Sequence, residues 1–270
     1  MPSLKLASCM AENTESFCGA VTAYLGDALG ISIEYVSGIP WQERERLFDA
    51  GEIQILWLCG FPYVQKADRS DPMIELLAAP IPTGARYLGR PVYFSDVVVR
   101  RDSPYRSLFD LRGAAWAYNE PRSHSGYNVV RAYLAEFGQN EGFFGEAFES
   151  GAHTASFEML LRGAVDGAAI DSTVFEWLLA ESDKIAERIR VIDTLGPSPI
   201  PPWVISPNVS ETLRRDLRAL LLGMRQSPRG LAILARGRIE RFTESLDSDY
   251  DPIRRTAKTA ERVALRTNPD

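Results

Sequence analysis

Short apolar runs alternate with segments of helical periodicity through the first sixty residues of the chain. Apolar runs at 4–10, 31–36 and 53–58 are separated by helical patterns at 14–29 and 41–49. Strand, helix and strand at this spacing are typical of a parallel sheet whose faces are covered by helices. The alternation therefore predicts an α/β fold, with a loop at 59–63 after the third strand.

A second block of alternating elements follows two extended segments. The extended segments are 74–79 and 91–100, and the second is long enough to run from one domain into another. The block itself predicts strands and helices in alternation, at 114–118, 126–137, 147–150, 155–162, 167–170, 173–180 and 189–193. Residues 194–202 are dense in proline, so they predict a connector that is neither helix nor central strand. A strand at 203–206 and helices at 209–222, 228–235 and 252–264 complete the pattern.

The order of these elements predicts two α/β lobes. Residues 1–97 and 193–270 form a discontinuous first lobe, and residues 98–192 form an inserted second lobe. Each lobe is expected to have a mixed, mostly parallel sheet flanked by helices. Two crossings of the chain would give a hinge and a ligand cleft between the lobes.

Composition limits the classes of partner. The 270 residues are 45% hydrophobic and 24% charged, with a net charge of −6. That balance is typical of a globular protein, and it disfavours nucleic acid and membrane surfaces, which attract basic faces. No apolar run approaches the ~18 residues of a membrane span. A small anionic ligand remains compatible, because local amides and hydroxyls decide such binding.

The cysteines and the N-terminus bear on the compartment. Cys9, Cys18 and Cys59 have no metal-binding spacing and predict buried free thiols. Residues 1–10 show no signal-peptide pattern. From the given chain alone we therefore expect a cytoplasmic protein, and a periplasmic one if a leader was removed.

Residues 119–128 combine a predicted strand end, a turn of small residues and a helix start. Backbone N–H groups converge at such a point, and the helix dipole adds partial positive charge there. Pro121 restrains the entry to the turn, while Ser123 and Ser125 can cap the helix or face a ligand. The segment predicts an oxyanion site, with an ordinary helix cap as the alternative.

Ligands of open α/β sheets bind at the carboxyl ends of strands. This rule selects 10–13, 38–41 and 60–63 in the first lobe. In the second lobe it selects 119–127, 151–154 and 171–172. The two histidines of the chain, His124 and His153, both fall in these segments. Either can donate to an oxyanion, and binding would then weaken as pH rises through the bound-state histidine pKa.

Several stretches of the chain resemble the phosphate, phosphite and phosphonate-binding proteins of ABC transporters. The matching stretches are 53–64, 93–100, 110–113, 119–128, 150–153 and 165–171. They resemble the PhnD-like group, which has the type 2 periplasmic-binding-protein fold. The resemblance covers most of residues 4–200 and is weakest in the C-terminal helices.

The resemblance implies that the Ser-x-Ser-Gly turn holds phosphonate or phosphate oxygens, while aromatic groups of the first lobe face it. Members that bind aminoalkyl phosphonates place a carboxylate directly after the matching histidine, where this chain has Thr154. That difference leaves the ligand open. The candidate ligand-binding residues are Trp41, Gly60, Phe61, Tyr63, Ser95, Ser123, His124, Ser125, Gly126, Tyr127, His153 and Asp171.

The resulting expectation is a solute-binding protein without catalysis, cofactor or metal. It would close on a small anion and meet an ABC permease, as a monomer or weak dimer. The alternatives are a cytoplasmic enzyme on the same fold, like those of the menaquinone pathway or thiamine-pyrimidine synthesis, and an effector-sensing domain. Calcium is excluded at 247–258, because Pro252 and Lys258 replace the glycine and glutamate of an EF-hand loop.

Overall fold

The structure is a computed structural model that describes residues 3–139 and 142–265. Its strands are β1 (Leu4–Ser8), β2 (Ile33–Tyr35), β3 (Ile55–Trp57), β4 (Glu75–Pro82), β5 (Val92–Arg100), β6 (Ala115–Tyr118), β7 (Glu146–Glu149), β8 (Gly167–Asp171), β9 (Ile189–Pro199), β10 (Trp203–Ile205) and β11 (Ile239–Thr243). Its α-helices are α1 (Glu15–Leu29), α2 (Trp41–Asp49), α3 (Gly60–Ala67), α4 (Val129–Glu136), α5 (His153–Leu161), α6 (Ser172–Glu181), α7 (Asp183–Arg188), α8 (Glu211–Gly223), α9 (Pro228–Arg236) and α10 (Asp251–Ala260).

The strands form two open sheets. The first has the order β11-β4-β10-β3-β1-β2, and the second has the order β7-β6-β8-β5-β9. In the first sheet β1 is parallel to β2 and β3. The strand β10 is antiparallel to β3 and β4, and β11 is antiparallel to β4. In the second sheet β6 is parallel to β7 and β8, and β5 runs antiparallel to β8. Both sheets are mixed, and the first has more antiparallel than parallel pairings.

The chain divides into two compact units, each with its own core. The first comprises the described residues of Met1–Val92 and Pro199–Asp251, and the second those of Tyr93–Ser198 and Pro252–Asp270. The core of the first unit includes Phe17, Trp57 and Trp203, and that of the second includes Trp116 and Leu134. The strand β5 begins at the boundary between the units, as expected for a segment that links two domains.

The C-terminal segment belongs to the second unit, contrary to the prediction that residues 193–270 complete the first lobe. Val263 and Leu265 are buried in the core of the second unit. The amphipathic pattern of α10 shows that it buries one face but does not show which sheet it covers. The inserted stretch is also slightly longer than the predicted 98–192, since it runs from Tyr93 to Ser198.

Another local prediction was wrong, whereas the prediction for residues 194–202, which excluded helix and central strand, is confirmed. The predicted loop 59–63 is instead the beginning of α3, in which Pro62 occupies the first turn, where its missing N–H breaks no hydrogen bond. The proline-dense connector extends β9 as far as Pro199. Its position at the edge of the second sheet leaves one side unpaired, which proline tolerates.

The three cysteines are free, but only Cys18 is buried, whereas Cys9 and Cys59 are half-buried. Burial raises the pKa of the Cys18 thiol to about 12. Within the described ranges, no helix has both the length and the apolar character needed to cross a membrane.

Candidate functional site

The turn predicted to bind an oxyanion lies in the second unit, between β6 and α4. Residues His124–Asn128 form one π-helical turn that continues directly into α4. Ser123 caps this turn, because its Oγ accepts a hydrogen bond from the Gly126 N–H at 3.1 Å. The amides of His124 and Ser125 stand at the beginning of the helix, where an N–H has no acceptor within the helix. Strand, turn and helix start are arranged as the sequence predicted.

Gly126 leaves the space on which this turn depends. A Cβ at this position would lie 2.0 Å from Asn119 Oδ1 and 3.1 Å from His153 Cε1. The 2.0 Å separation is far inside van der Waals contact, so any larger residue would displace Asn119. Gly126 is therefore required for close packing of the turn against both neighbours.

Ser125 is the centre of the hydrogen bonding around the turn. Its Oγ lies 3.0 Å from His153 Nε2, at the first residue of α5. Its backbone carbonyl accepts a hydrogen bond from the hydroxyl of Ser95 on β5. Ser95 is directly opposite Asp171 in the β5–β8 ladder. Together with Ser123, which caps the turn, five predicted site residues from four elements lie around this buried turn. They are Ser95, Ser123, Ser125, His153 and Asp171.

His124 points to a different partner from His153. Its Nε2 lies 3.0 Å from Ser198 Oγ, in the proline-dense end of β9. Its Nδ1 is buried and has no hydrogen-bond partner among the described residues. Ser198 is not among the residues predicted from the sequence, because nothing in the connector indicates that β9 brings this serine to His124.

Burial keeps both imidazoles neutral. It lowers the pKa of His124 to about 3. It lowers the pKa of His153 to about 4, partly offset by a hydrogen bond with the Ala169 backbone. Without a bound anion, neither ring carries charge at neutral pH, so each can offer only one N–H to a ligand. Binding can weaken with rising pH, as predicted, only if a bound anion raises the pKa of one of these histidines.

Asp171 is buried and acts as the N-cap of α6. Its Oδ1 accepts from the Thr173 amide at 2.8 Å and from the Thr173 hydroxyl at 2.6 Å. Burial, reinforced by the nearby carboxylate of Asp96, raises the pKa of Asp171 to about 6. The carboxylate is thus engaged by α6, and its ionisation falls close to the physiological range.

The ring of Tyr127 packs away from this hydrogen-bonded cluster. It lies 4.8 Å from the ring of Tyr118 and carries the Arg131 guanidinium over its face at 4.7 Å. These contacts account for its aromatic character by packing alone. Its role in ligand binding stays a prediction.

The candidates in the first unit lie at helix starts. Trp41 is the first residue of α2, and its carbonyl is 3.5 Å from the Cys9 thiol. Gly60 and Phe61 begin α3. Trp41 and Phe61 are half-buried, so part of each ring remains accessible.

Tyr63 is 3% exposed, and both its hydroxyl and its ring have partners within its own unit. Its hydroxyl donates to Asp247 Oδ1 at 2.8 Å, and its ring lies 4.7 Å from that of Tyr250. Asp247 belongs to the acidic stretch that we considered as a calcium loop. The separation of 184 positions in the sequence explains why this pair could not be predicted.

Metal ligands are not clustered in the part of the chain that the structure describes, where no group of three or more His, Cys, Asp or Glu side chains could hold an ion.

Comparison with known proteins identifies the family. A family model described as "ABC transporter, phosphonate, periplasmic substrate-binding protein" matches residues 9–250. The chain belongs to this family. The matched region includes the turn, both histidines and the helix starts of the first unit.

Individual relatives of this family are distant in sequence. The chain is 24% identical over 224 residues to the phosphonates-binding periplasmic protein of Escherichia coli (strain K12). That alignment covers 80% of this chain but 64% of the relative, which is less than two thirds of its length.

Solved structures of the family share the fold. The binding protein component of an ABC phosphonate transporter from Pseudomonas aeruginosa is 19% identical, with a TM-score of 0.84 over 96% of this chain and 87% of that one. PhnD1 from Prochlorococcus marinus (MIT 9301), solved in complex with methylphosphonate, is 18% identical, with a TM-score of 0.84 over 97% of this chain and 99% of that one. At these identities the likeness shows the two-lobed binding-protein fold and leaves ligand identity to the residues of the site.

Proposed function

We propose that this protein captures a small phosphonate- or phosphate-like anion as the solute-binding component of an ABC transporter. The observation that supports this most directly is the buried turn Ser123–Gly126 at a helix start. Hydroxyl and amide donors lie side by side there, in a protein of the phosphonate-binding family.

The turn offers both hydroxyl and backbone amide donors. Ser123 uses Oγ as an acceptor for Gly126, so its own O–H remains able to donate. Charge-assisted hydrogen bonds are worth roughly 1.5–3 kcal/mol each. A few of them support micromolar binding after the costs of ordering.

His153 sets the direction of the Ser125 hydroxyl. If Nδ1 carries the proton, Nε2 accepts a hydrogen bond from the Ser125 hydroxyl. Only the lone pairs of the Ser125 oxygen then face the site. If Nε2 carries the proton, it donates a hydrogen bond to Ser125 Oγ, and the Ser125 hydroxyl is free to donate its own hydrogen to a ligand oxygen. We propose that the second tautomer forms when an oxyanion binds.

Thr154 suggests a ligand without an amine. It follows His153 in the first turn of α5 and brings no charge to that turn. The Asp171 carboxylate is already engaged by Thr173. We therefore favour methylphosphonate, phosphite or phosphate over aminoalkyl phosphonates.

The first unit is proposed to complete the site. Trp41, Gly60, Phe61 and Tyr63 would face the ligand when the two lobes close around a hinge. A ligand shifts such an equilibrium only through contacts that differ between the open and closed states. The closed form would be the one that a permease recognises. Periplasmic location and a monomeric or weakly dimeric state belong to the same proposal.

Calorimetric titration with methylphosphonate, phosphate, phosphite, an alkyl sulfonate and 2-aminoethylphosphonate tests the proposal. We expect heat from at least one phosphorus oxyanion, and its loss in a variant carrying Ser123→Ala and Ser125→Ala. Binding that survives both substitutions would show that the turn is only a helix cap.

An enzymatic function is the second candidate, because Ser125 and His153 form a serine–histidine pair at 3.0 Å. A general base works best with a pKa near the operating pH, whereas burial lowers the pKa of His153 to about 4. The pair is therefore better suited to hydrogen bonding than to proton abstraction. Stoichiometric acetylation of Ser125 by p-nitrophenyl acetate, detected by mass spectrometry, would favour the enzyme instead.

A further inference from the structure

A basic cavity lies in the same unit, at the opposite end of the β5–β8 ladder. An open cavity of about 390 Å³ is lined by Arg100, Arg101, Asp102, Leu161, Glu187 and Arg188. In the antiparallel register Ser95 pairs with Asp171 at one end, while Val99 pairs with Gly167 at the other. Five residues of strand separate Ser95 from Arg100, or about 17 Å at ~3.3 Å per residue.

The guanidinium groups in this cavity are held in place by backbone carbonyls. Arg100 Nη1 donates to Val165 at 2.8 Å, and Arg188 Nη2 donates to Leu161 at 2.9 Å. Arg101 Nη2 donates to the carbonyls of Ala186 and Ile189. These bonds occupy one nitrogen of each guanidinium, and each side chain has five N–H donors. The remaining donors are fixed in orientation before any ligand arrives.

The arginines outnumber the acids close to them. Arg100 has Asp102 and Asp166 at 4.0 and 3.9 Å, both beyond hydrogen-bond distance, and Asp102 is largely exposed. Arg190 lies beside them, with Nε 3.4 Å from the Arg101 carbonyl. Its pKa is lowered by burial and then by the positive charges of Arg106 and Arg101. The cluster therefore has an excess of positive charge on a protein whose net charge is −6.

Capping of helix ends explains part of this arrangement, since arginines commonly bind carbonyls at C-termini. It does not explain why three of them surround one concavity. The volume is in the range of small-ligand pockets, and arginine donors in a fixed fork match phosphate oxygens. A concave site of this size fits a small ligand better than a protein surface.

We propose that this cavity binds a small polyphosphate anion, of the size of pyrophosphate or the diphosphate of a nucleotide. The arginine donors hold its oxygens, and neither the Ser123–Gly126 turn nor its ligand takes part. The two sites are therefore separable by mutation.

Titration calorimetry with pyrophosphate, tripolyphosphate, ADP and inorganic phosphate, with EDTA present to remove divalent metals, tests the proposal. We expect pyrophosphate to bind more tightly than phosphate. Arg101→Gln with Arg188→Gln should weaken it by at least about tenfold. Glu187→Gln, which disturbs no arginine–carbonyl bond, should strengthen it severalfold, because it removes a nearby negative charge. Binding by ADP comparable to that of pyrophosphate identifies a nucleotide as the source of the diphosphate; much weaker binding by ADP identifies free polyphosphate.

Three results would overturn the proposal. One is pyrophosphate binding no tighter than about 1 mM. Another is an unchanged dissociation constant in both the double variant and Glu187→Gln. The third is equal binding of hexaglutamate, which would indicate docking of an acidic protein segment. The Ser123→Ala, Ser125→Ala variant is the matched control and should bind pyrophosphate normally. If the arginine double variant does not fold, the Glu187→Gln result decides.

Discussion

The hydroxyl of Ser125 lies 3.0 Å from Nε2 of His153, although 28 residues of chain separate them. This hydrogen bond joins the turn before α4 to the first residue of α5. The residue proposed to bind ligand and the residue proposed to orient its hydroxyl are thereby fixed to two different elements of the second unit.

Ser125→Ala should both weaken ligand binding and destabilise the fold. The substitution removes one donor to the anion, so we expect at least about tenfold weaker binding of the ligand that calorimetry identifies. Losing the bond to His153 should lower the free energy of unfolding by about 1–3 kcal/mol. Ser210→Ala is the matched control, because Ser210 also precedes a helix but makes no capping hydrogen bond through its side chain. Equal effects of the two substitutions on affinity would contradict a role for Ser125.

Gly126→Ala should be severely disruptive despite adding a single methyl group. The new Cβ would meet Asn119 Oδ1 at 2.0 Å, so overpacking should cost about 1–3 kcal/mol of stability and abolish anion binding. The measurement is urea unfolding together with calorimetry.

Gly223→Ala provides the control for this test, since a Cβ at Gly223, the last residue of α8, has no heavy atom within 4 Å. It should leave both quantities nearly unchanged. Adding Asn119→Ala to Gly126→Ala should restore part of the stability. If it does not, the clash lies elsewhere.

Acidification should destabilise the protein below the ordinary histidine pKa. His124 and His153 have folded-state pKa values of about 3 and about 4, against 6.5 for an exposed ring. The unfolded chain therefore binds protons first, and the stability due to these rings is complete above pH 6.5 and is lost as pH falls toward 4.

Asp171 opposes this trend over part of the range. Its pKa is raised from 3.8 to about 6, so the folded state takes up its proton first as pH falls from 6 toward 4. The two imidazoles outweigh one carboxyl, and we expect a net loss of about 2 kcal/mol between pH 7 and pH 5. Urea unfolding at the two pH values measures it. His153→Gln should reduce the dependence, and a slope identical to that of the parent protein would refute the assignment.

A buried ion cluster should be essential to the helices that begin with Trp41 and Gly60. Lys66 Nζ on α3 lies 2.9 Å from Glu45 and 2.6 Å from Asp49, both on α2, and Lys66 and Glu45 are almost fully buried. Lys66→Ala leaves the buried Glu45 without this cation, which should cost about 3–5 kcal/mol.

The neighbouring exposed pair provides the comparison. Arg46 and Glu43 are 2.7 Å apart on the same helix, in contact with solvent. Arg46→Ala should change urea unfolding little, because exposed ion pairs contribute little. Equal destabilisation by the two substitutions would show that the Lys66 cluster is not specially stabilising.

Local periodicity was sufficient to predict much of the fold. Residues 41–49 form a helix with the predicted bounds, and β5 coincides with the long apolar segment at 91–100. The small-residue turn before α4 was also predictable, because serine and glycine at a helix start have few other uses. Local pattern was misleading at α3, where glycine and proline are typical of loops but are also tolerated in a first helical turn.

Contacts between distant residues could not be predicted in this way. Both histidines were predicted to lie near the turn, but their partners were not: Ser125 is hydrogen-bonded to His153, and His124 to Ser198. Each of these bonds depends on how strands are ordered in the sheet. The apolar face of α10 likewise fits either core, and only tertiary structure decides between them.

The last described residues complete the second unit rather than the first. Arg131, in the helix that follows the oxyanion turn, donates its Nε to the Val263 carbonyl at 2.5 Å. Val263 and Leu265 fill the adjoining core. During synthesis the ribosome still covers these residues after every strand of the second sheet has emerged. The unit with the proposed anion site can therefore reach its final packing only after translation has passed residue 265 and these residues have left the ribosome.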